Sequence, residues 1–135
     1  MKKLILLALS LILMLSLTAC GKISKELKIL SSEPSELYTE EEISDAIDAV
    51  QSYFKKNFSG CTLTEIGYAG DKKSQGYADF AERINGDEVI VLTSSFEVDS
   101  SGGDGSLNPN SNYNRWQWIM ARKNGGRWKH VDHGY

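Results

Sequence analysis

The fold is decided by residues 39–58, TEEEISDAIDAVQSYFKKNF, which predict one long amphipathic helix. Thr39, followed three residues later by Glu42, forms a capping box in which each side chain satisfies a backbone N–H at the helix start. Gly60 stands where a helix is expected to end. The apolar residues between these signals keep the three- and four-residue spacing of a single buried face: Ile43, Ala46, Ile47, Val50, Tyr53, Phe54 and Phe58. We therefore expect a helix over residues 40–58.

The segments after this helix predict a β-rich half of the domain. Residues 61–69 alternate imperfectly between apolar and polar, so a strand with a bulge or a kink near Thr64 and Glu65 is expected. Residues 71–76 predict a polar connection, and residues 77–84 predict a short helix. Residues 89–98 are apolar on both faces, which is typical of a central strand.

The C-terminal residues predict a β-hairpin. Residues 113–122 and 127–133 form two strand patterns, and Lys123-Asn124-Gly125-Gly126 lies between them. Asn-Gly readily adopts the positive φ angles that a tight hairpin turn needs. Residues 100–112, rich in Gly, Ser and Asn, predict a long loop before the hairpin.

The simplest architecture that buries these patterns is a single α+β domain over residues 38–135. One long N-terminal helix would pack on a curved antiparallel sheet of about four strands. Residues 20–37 contain Pro34 and many Lys, Ser and Glu residues, which favours a flexible tether. A short amphipathic helix through Ile23, Leu27 and Leu30 is the alternative for this segment.

Residues 1–19 have the layout of a signal peptide, with Lys2 and Lys3 before an apolar run that is too short for a comfortable bilayer span. The run leads into Leu17-Thr18-Ala19-Cys20, which resembles the bacterial lipobox. The resemblance implies a diacylglycerol on the sulfur of Cys20, cleavage just before that residue, and a lipid-anchored domain on the extracytoplasmic face of the cell membrane. An ordinary cleaved signal peptide, or a signal anchor, is the alternative.

Composition limits the possible partners and cross-links. The formal net charge is −3, and loss of the signal peptide would remove two lysines, so no nucleic-acid partner is expected. The basic residues of the hairpin are better explained by a solvated sheet face. With lipid on Cys20, Cys61 would be the remaining thiol, which excludes an internal disulfide, and we expect Cys61 to be buried.

Both histidines and a carboxylate lie close together near the C-terminus. On a regular strand, His130 and Asp132 would share one face and His133 would occupy the other. The two imidazoles could then bind one metal only if the strand ended between them, so no metal and no cofactor are expected. His130 and Asp132 could instead act as an acid–base pair, or could have a structural role at the sheet edge.

Two other patterns in the chain are incomplete. Residues 99–106 are rich in Asp and Gly, as a calcium loop would be, but they lack the carboxylate spacing of the helix-loop-helix calcium site. Ser106 follows its glycines rather than lying within a Gly-x-Ser-x-Gly elbow before a helix. Neither pattern therefore predicts a catalytic or metal site.

The hairpin carries a set of aromatic and ionisable residues that we take as a candidate ligand or partner surface: Tyr113, Trp116, Trp118, Trp128, His130 and Asp132. The concave face of a curved sheet can form a mostly apolar pocket with a few polar groups. Alternatively, these aromatic residues pack against the helix, on Tyr53, Phe54 and Phe58.

Four segments make the domain similar to a set of small lipoproteins of Gram-positive bacteria: FSGCTL (58–63), SGGDGSL (101–107), WQW (116–118) and WKHVDHGY (128–135). The order of helix and strands also resembles the cystatin-like class, which includes the nuclear-transport-factor-like cone. These resemblances imply a fold and a location, but no chemistry.

The sequence thus leads to one main hypothesis and two alternatives. The first is a lipid-anchored, non-enzymatic module of the cell envelope that binds a partner protein or a small ligand through the sheet face and residues 100–112. The second is an envelope enzyme, a hydrolase or isomerase, that uses His130 and Asp132 in a cone-like pocket. The third is a purely structural or immunity-type lipoprotein.

Overall fold

The structure is a computed structural model that describes residues 20–135. The predicted signal peptide, residues 1–19, lies outside the described residues. The described part is α+β, as the sequence predicts, with its elements in the following order: β1 (Lys22–Leu30), α1 (Glu40–Asn57), β2 (Cys61–Tyr68), α2 (Asp71–Gly76), a 3₁₀ helix (Ala78–Ile84), β3 (Glu88–Val98), β4 (Asn112–Arg122) and β5 (Lys129–Gly134).

The strands form one mixed sheet in the order β1-β2-β3-β4-β5. β1 runs parallel to β2, and the other neighbouring pairs are antiparallel. The prediction of an antiparallel sheet is therefore wrong for β1, because α1 crosses over between β1 and β2 and returns the chain in the same direction. The expected bulge in β2 is confirmed, because Leu63 pairs with Phe96 and Glu65 with Ser95, which leaves Thr64 without an opposite residue. The expected hairpin between β4 and β5 is also confirmed, with Asn124 at a φ of 52° and Gly125 at 66° in its turn.

The prediction of a flexible tether is wrong for residues 22–30, which form the edge strand β1 and raise the strand number from about four to five. Ile23 and Leu27 pack against the core, while Lys25 and Glu26 are exposed. Natural edge strands carry charged residues that discourage pairing with other chains. An edge strand with many charged residues has a composition similar to that of a flexible linker, so composition alone did not distinguish the two.

The predicted helix is confirmed as α1. Thr39 is its N-cap: its hydroxyl accepts a hydrogen bond from the Glu42 N–H at 3.1 Å, and the Glu42 carboxylate accepts one from the Thr39 N–H at 3.1 Å. Phe54 and Phe58 of the apolar face pack on the sheet below. The Phe58 ring centroid lies 5.1 Å from that of Trp118 and 5.6 Å from that of Phe96.

The other face of the sheet has a smaller apolar core of its own. Ala81 of the 3₁₀ helix packs there with Val89 and Val91 of β3, while Ile90 and Leu92 face α1. The prediction of a central strand that is buried on both faces is therefore confirmed, as is a helical segment within residues 77–84. Residues 71–76, which the sequence predicts to be a polar connection, form the short helix α2.

Arg122 joins the start of α1 to the end of β4. The guanidinium forms ion pairs with the carboxylates of Glu42 and Glu88 and lies 4.2 Å from the ring centroid of Trp128. The indole N–H of Trp128 donates to the Glu42 carbonyl at 3.2 Å. This cluster closes the end of the domain that carries the hairpin turn.

Replacement of Gly67 tests whether β1 is an integral strand. A Cβ at Gly67 would lie 2.6 Å from the Cβ of Leu30, so Gly67→Ala should force β1 away from β2. We expect the free energy of unfolding to fall by about 1–3 kcal/mol and the amides of β1 to exchange faster, as measured by urea denaturation and hydrogen exchange.

Gly76→Ala is the matched control, because a Cβ at Gly76 meets nothing within 4 Å. It should change the unfolding free energy by less than about 1 kcal/mol. If Gly67→Ala were as stable as this control, the pairing of β1 with β2 would be disproved.

Candidate functional site

A bulge in β5 places both histidines on the face of the sheet that is covered by α1. Asp132 pairs with Ile119 and His130 with Met120, so Val131 has no opposite residue. Because side chains alternate between the two faces of a strand, this extra residue places His130 and His133 on the same face. The expectation that the two imidazoles lie on opposite faces is therefore wrong, because it assumed a regular strand.

The two imidazoles form a hydrogen-bonded pair. Nε2 of His130 lies 2.8 Å from Nδ1 of His133, and the ring of His130 stacks on Tyr53 with a centroid distance of 3.7 Å. Burial, and then the neighbouring His133, lower the pKa of His130 to about 4. Burial also lowers the pKa of His133. Both rings are consequently neutral at physiological pH.

Asp132 lies on the opposite side of the sheet from this pair. Its carboxylate forms an ion pair with Arg83 at 3.0 Å and accepts a hydrogen bond from the backbone N–H of His133 at 2.8 Å. His130 and Asp132 therefore do not meet as an acid–base pair. The bulge that unites the histidines also separates His130 from the carboxylate expected beside it.

A cleft of about 460 Å³ opens next to His133, between the end of α1, the loop of residues 99–111 and the start of β4. We call it the Trp116 cleft. Its lining is partly aromatic and partly polar: Tyr53, Asn57, Phe58, Ser59, Cys61, Gly103, Asp104, Ser106, Leu107, Trp116 and His133. Small-molecule sites are usually more apolar, but they share the combination of aromatic walls with fixed hydrogen-bonding groups that this cleft shows.

The polar wall of the cleft belongs to a loop with defined local structure. Asp104 accepts a hydrogen bond from the backbone N–H of Ser106 at 3.0 Å, and this bonding with Ser106 lowers the pKa of Asp104. Gly102 and Gly103 have φ angles near 70°, which permit the tight reversal of the chain. Asp104 thus contributes a fixed negative charge at the edge of the cleft.

The aromatic residues expected to form a ligand surface are divided between core and cleft. Trp118 is fully buried, and its indole N–H donates to the Ser94 hydroxyl at 2.7 Å. Trp128 packs at the other end of α1, and Tyr113 stacks on Phe96 with a centroid distance of 5.2 Å. Of the six predicted surface residues, Trp116 alone lines the Trp116 cleft.

Trp116 has a further unusual property. Its Nε1 is the one buried side-chain nitrogen or oxygen within residues 20–135 that has no hydrogen-bond partner. Its ring packs beside His133 with a centroid distance of 5.6 Å. An unpaired donor inside a protein costs free energy, which makes this tryptophan an informative position for substitution.

Sequence reasoning missed the contributions of His133 and Tyr53 to the cleft. His133 was assigned to the wrong face, and Tyr53 was assigned only to the apolar face of the helix. Asp104 lies within residues 100–112, which the sequence predicts to take part in binding, but no pattern in that loop distinguishes its carboxylate from the other polar side chains. In the described part of the chain, no three His, Cys, Asp or Glu side chains are grouped so that they could hold a metal ion.

The two cysteines differ in environment. Cys61 is buried, as expected, and burial raises the pKa of its thiol to about 11, so it is protonated at neutral pH. Cys20 is exposed. Within residues 20–135, no helix has the length and apolarity required to cross a bilayer.

Comparison of the chain with protein-family models, with curated proteins and with solved structures gives no match. The class is therefore defined by the architecture alone, as an α+β domain in which one helix packs on a five-stranded mixed sheet and borders an aromatic cleft.

The depressed pKa of His130 predicts how stability depends on pH. An unfolded histidine titrates near pH 6.5, so between that pH and about pH 4 the unfolded chain binds more protons than the folded one. The free energy of unfolding should therefore fall as pH is lowered through this window. Urea denaturation at a series of pH values measures the fall.

His130→Gln removes the titrating ring and keeps a hydrogen-bonding side chain. We expect a smaller fall in stability over the same window, with the remainder due to His133 and, at the acidic end, to carboxylates such as those of Glu42 and Asp71, whose pKa values are also lowered. An unchanged pH dependence in His130→Gln would contradict the assigned burial of the neutral imidazole.

Proposed function

We propose that this protein is a lipid-anchored module of the cell envelope that binds a small ligand in the Trp116 cleft without transforming it. The observation that carries the binding half of the proposal is the composition of the cleft, in which three aromatic rings meet one neutral imidazole and one carboxylate. A ligand with an apolar face and a hydrogen-bonding edge fits such a site.

The anchoring half rests on the lipobox-like segment that ends at Cys20. Cys20 is exposed, so its sulfur is open to modification. Each buried methylene of an acyl chain contributes about 0.8 kcal/mol to membrane binding, so the two or three chains of a processed lipoprotein hold it durably. A lysine near anionic lipid adds about 1 kcal/mol at most.

Binding is favoured over catalysis by the environment of the ionisable groups. His130 is neutral, and its pKa lies well below the value that suits a general base at neutral pH. An envelope hydrolase or isomerase built on His130 and Asp132 would need both side chains in one pocket, and they project from opposite faces of the sheet. The hydroxyl of Ser106 is hydrogen-bonded to Asp104 rather than to an imidazole.

The His133 ring is the group best placed to recognise a ligand. Its Nδ1 is engaged by His130, while its Nε2 has no hydrogen-bond partner among the described residues. A neutral imidazole offers either a donor or an acceptor at that atom, depending on its tautomer. For the fold, we propose a cystatin-like relationship on the sequence likeness alone.

Anchoring is tested by Cys20→Ala in a bacterial host that processes lipoproteins. We expect the unaltered chain to be recovered in the membrane fraction, with acyl mass on an N-terminal cysteine, and the variant to lose most of its membrane association. The measurements are cell fractionation and mass spectrometry. Full retention of Cys20→Ala in the membrane would refute lipid anchoring through this residue.

Ligand binding is tested by NMR with a library of small aromatic and saccharide fragments. A binding fragment should shift the backbone signals of Gly103 and His133 and leave that of Gly125, in the distant hairpin turn, unchanged. Asn57→Trp places a large side chain at the mouth of the cleft and should weaken binding about tenfold or more, which corresponds to ~1.4 kcal/mol.

Lys123→Trp is the matched control for this substitution, since Lys123 is exposed in the hairpin turn. It should bind fragments like the unaltered chain. If no fragment shifts the signals of the cleft, or if Asn57→Trp binds as well as the control, the Trp116 cleft is not the binding site.

A further inference from the structure

The residue next to Cys20 is built into the folded domain. Gly21 is buried, and its backbone N–H donates to the Lys55 carbonyl at 2.9 Å, in the last turn of α1. A Cβ at this position would lie 2.3 Å from the carbonyl oxygen of Phe54 and 2.8 Å from that of Phe58. Only glycine allows the chain to approach the helix end so closely.

The chain enters the sheet directly after this contact. Lys22 begins β1 and pairs with Thr62 of β2, and Ile23 pairs with Leu63. No residue between Cys20 and the sheet is therefore free to act as a spacer. This observation reverses the expected geometry, in which a tether of about 17 residues would let the domain turn freely above the membrane.

The position of Cys20 defines two ends of the molecule. The anchor end contains Cys20, the last turn of α1, Gly60 and the loop of residues 99–111. The far end contains the start of α1 and the hairpin turn of residues 123–126. β4 connects them with 11 residues, and at roughly 3.3 Å per residue the two ends are about 35 Å apart.

From this geometry we infer that the anchor end is a docking surface for the lipid bilayer, and that it holds the domain in one orientation with the far end pointing away from the membrane. The inference rests on the proposed lipidation of Cys20. Its partner is the bilayer that receives the acyl chains, and the Trp116 cleft then opens beside the headgroups.

Charge alone would not set this orientation. Lys22, Lys55 and Lys56 lie at the anchor end and are exposed, but Asp99 and Asp104 lie there as well. Both of these carboxylates have a lowered pKa, because each accepts hydrogen bonds from a neighbouring serine, and they remain charged. The short covalent connection through Cys20 is what fixes the surface that faces the bilayer.

The orientation is tested with the full chain, produced in a lipoprotein-processing host and reconstituted in vesicles of phosphatidylcholine and phosphatidylglycerol. Lys56→Cys and Lys123→Cys each carry a fluorophore, at the anchor end and the far end respectively. Cys61 does not compete for the label because it is buried and its thiol remains protonated. A nitroxide on the lipid headgroup is the quencher.

We expect several-fold stronger quenching at position 56 than at position 123. A control chain has a flexible Gly-Ser segment of about ten residues inserted between Cys20 and Gly21, which leaves every contact of Gly21 in place and adds slack. In that chain, quenching at position 56 should fall toward the value at position 123.

The outcomes separate the two proposals. Acylated protein that floats with the vesicles, but is quenched equally at both positions or is unaffected by the inserted segment, overturns the orientation and leaves lipid anchoring intact. Protein that carries no acyl mass and does not float with the vesicles overturns both.

Discussion

The contact between the apolar face of α1 and the sheet is the interaction on which the rest of this structure depends. Phe54 and Phe58 pack into a layer of aromatic rings from β3 and β4 that includes Phe96 and Trp118. Because these rings are close-packed, a change in the position of the helix would disturb the whole layer. The end of the same helix also forms one wall of the Trp116 cleft and accepts the hydrogen bond from Gly21, so packing, binding surface and chain entry share one element.

Because the end of α1 contacts Gly21 and also lines the Trp116 cleft, the cleft lies near the proposed lipid anchor. Under the proposed lipidation of Cys20, a cleft at the end of the molecule nearest to that residue would meet ligands at the membrane surface, whereas the same cleft at the far end would face the surrounding space. The neutral histidine pair suits this arrangement, because an imidazole that remains uncharged can recognise a ligand by hydrogen bonding without the desolvation cost of a buried charge. The Arg122 cluster, at the opposite end, fixes the start of the helix and takes no part in the cleft.

Local signals in the sequence were reliable wherever the structure depends on neighbouring residues. The capping box at Thr39, the turn at Asn124 and Gly125, and the bulge at Thr64 were all predictable, because each reflects the backbone preferences of a few consecutive residues. The prediction of a tether for residues 22–30 was wrong because this segment depends on residues that are distant in the chain. An edge strand such as β1 acquires its order from a partner that is distant in the chain, and its own composition does not reveal that partner.

The sequence by itself determined the α+β class, the long helix, the central strand and the C-terminal hairpin, since periodicity and turn chemistry are local properties. Only the tertiary structure decided which side chains meet. A single unpaired residue, Val131, moved His133 to the face of His130 and left Asp132 on the other, because side chains in a strand alternate and one extra residue reverses the alternation. The burial of Gly21 against the helix end was likewise invisible, since it depends on a close approach between segments more than thirty residues apart.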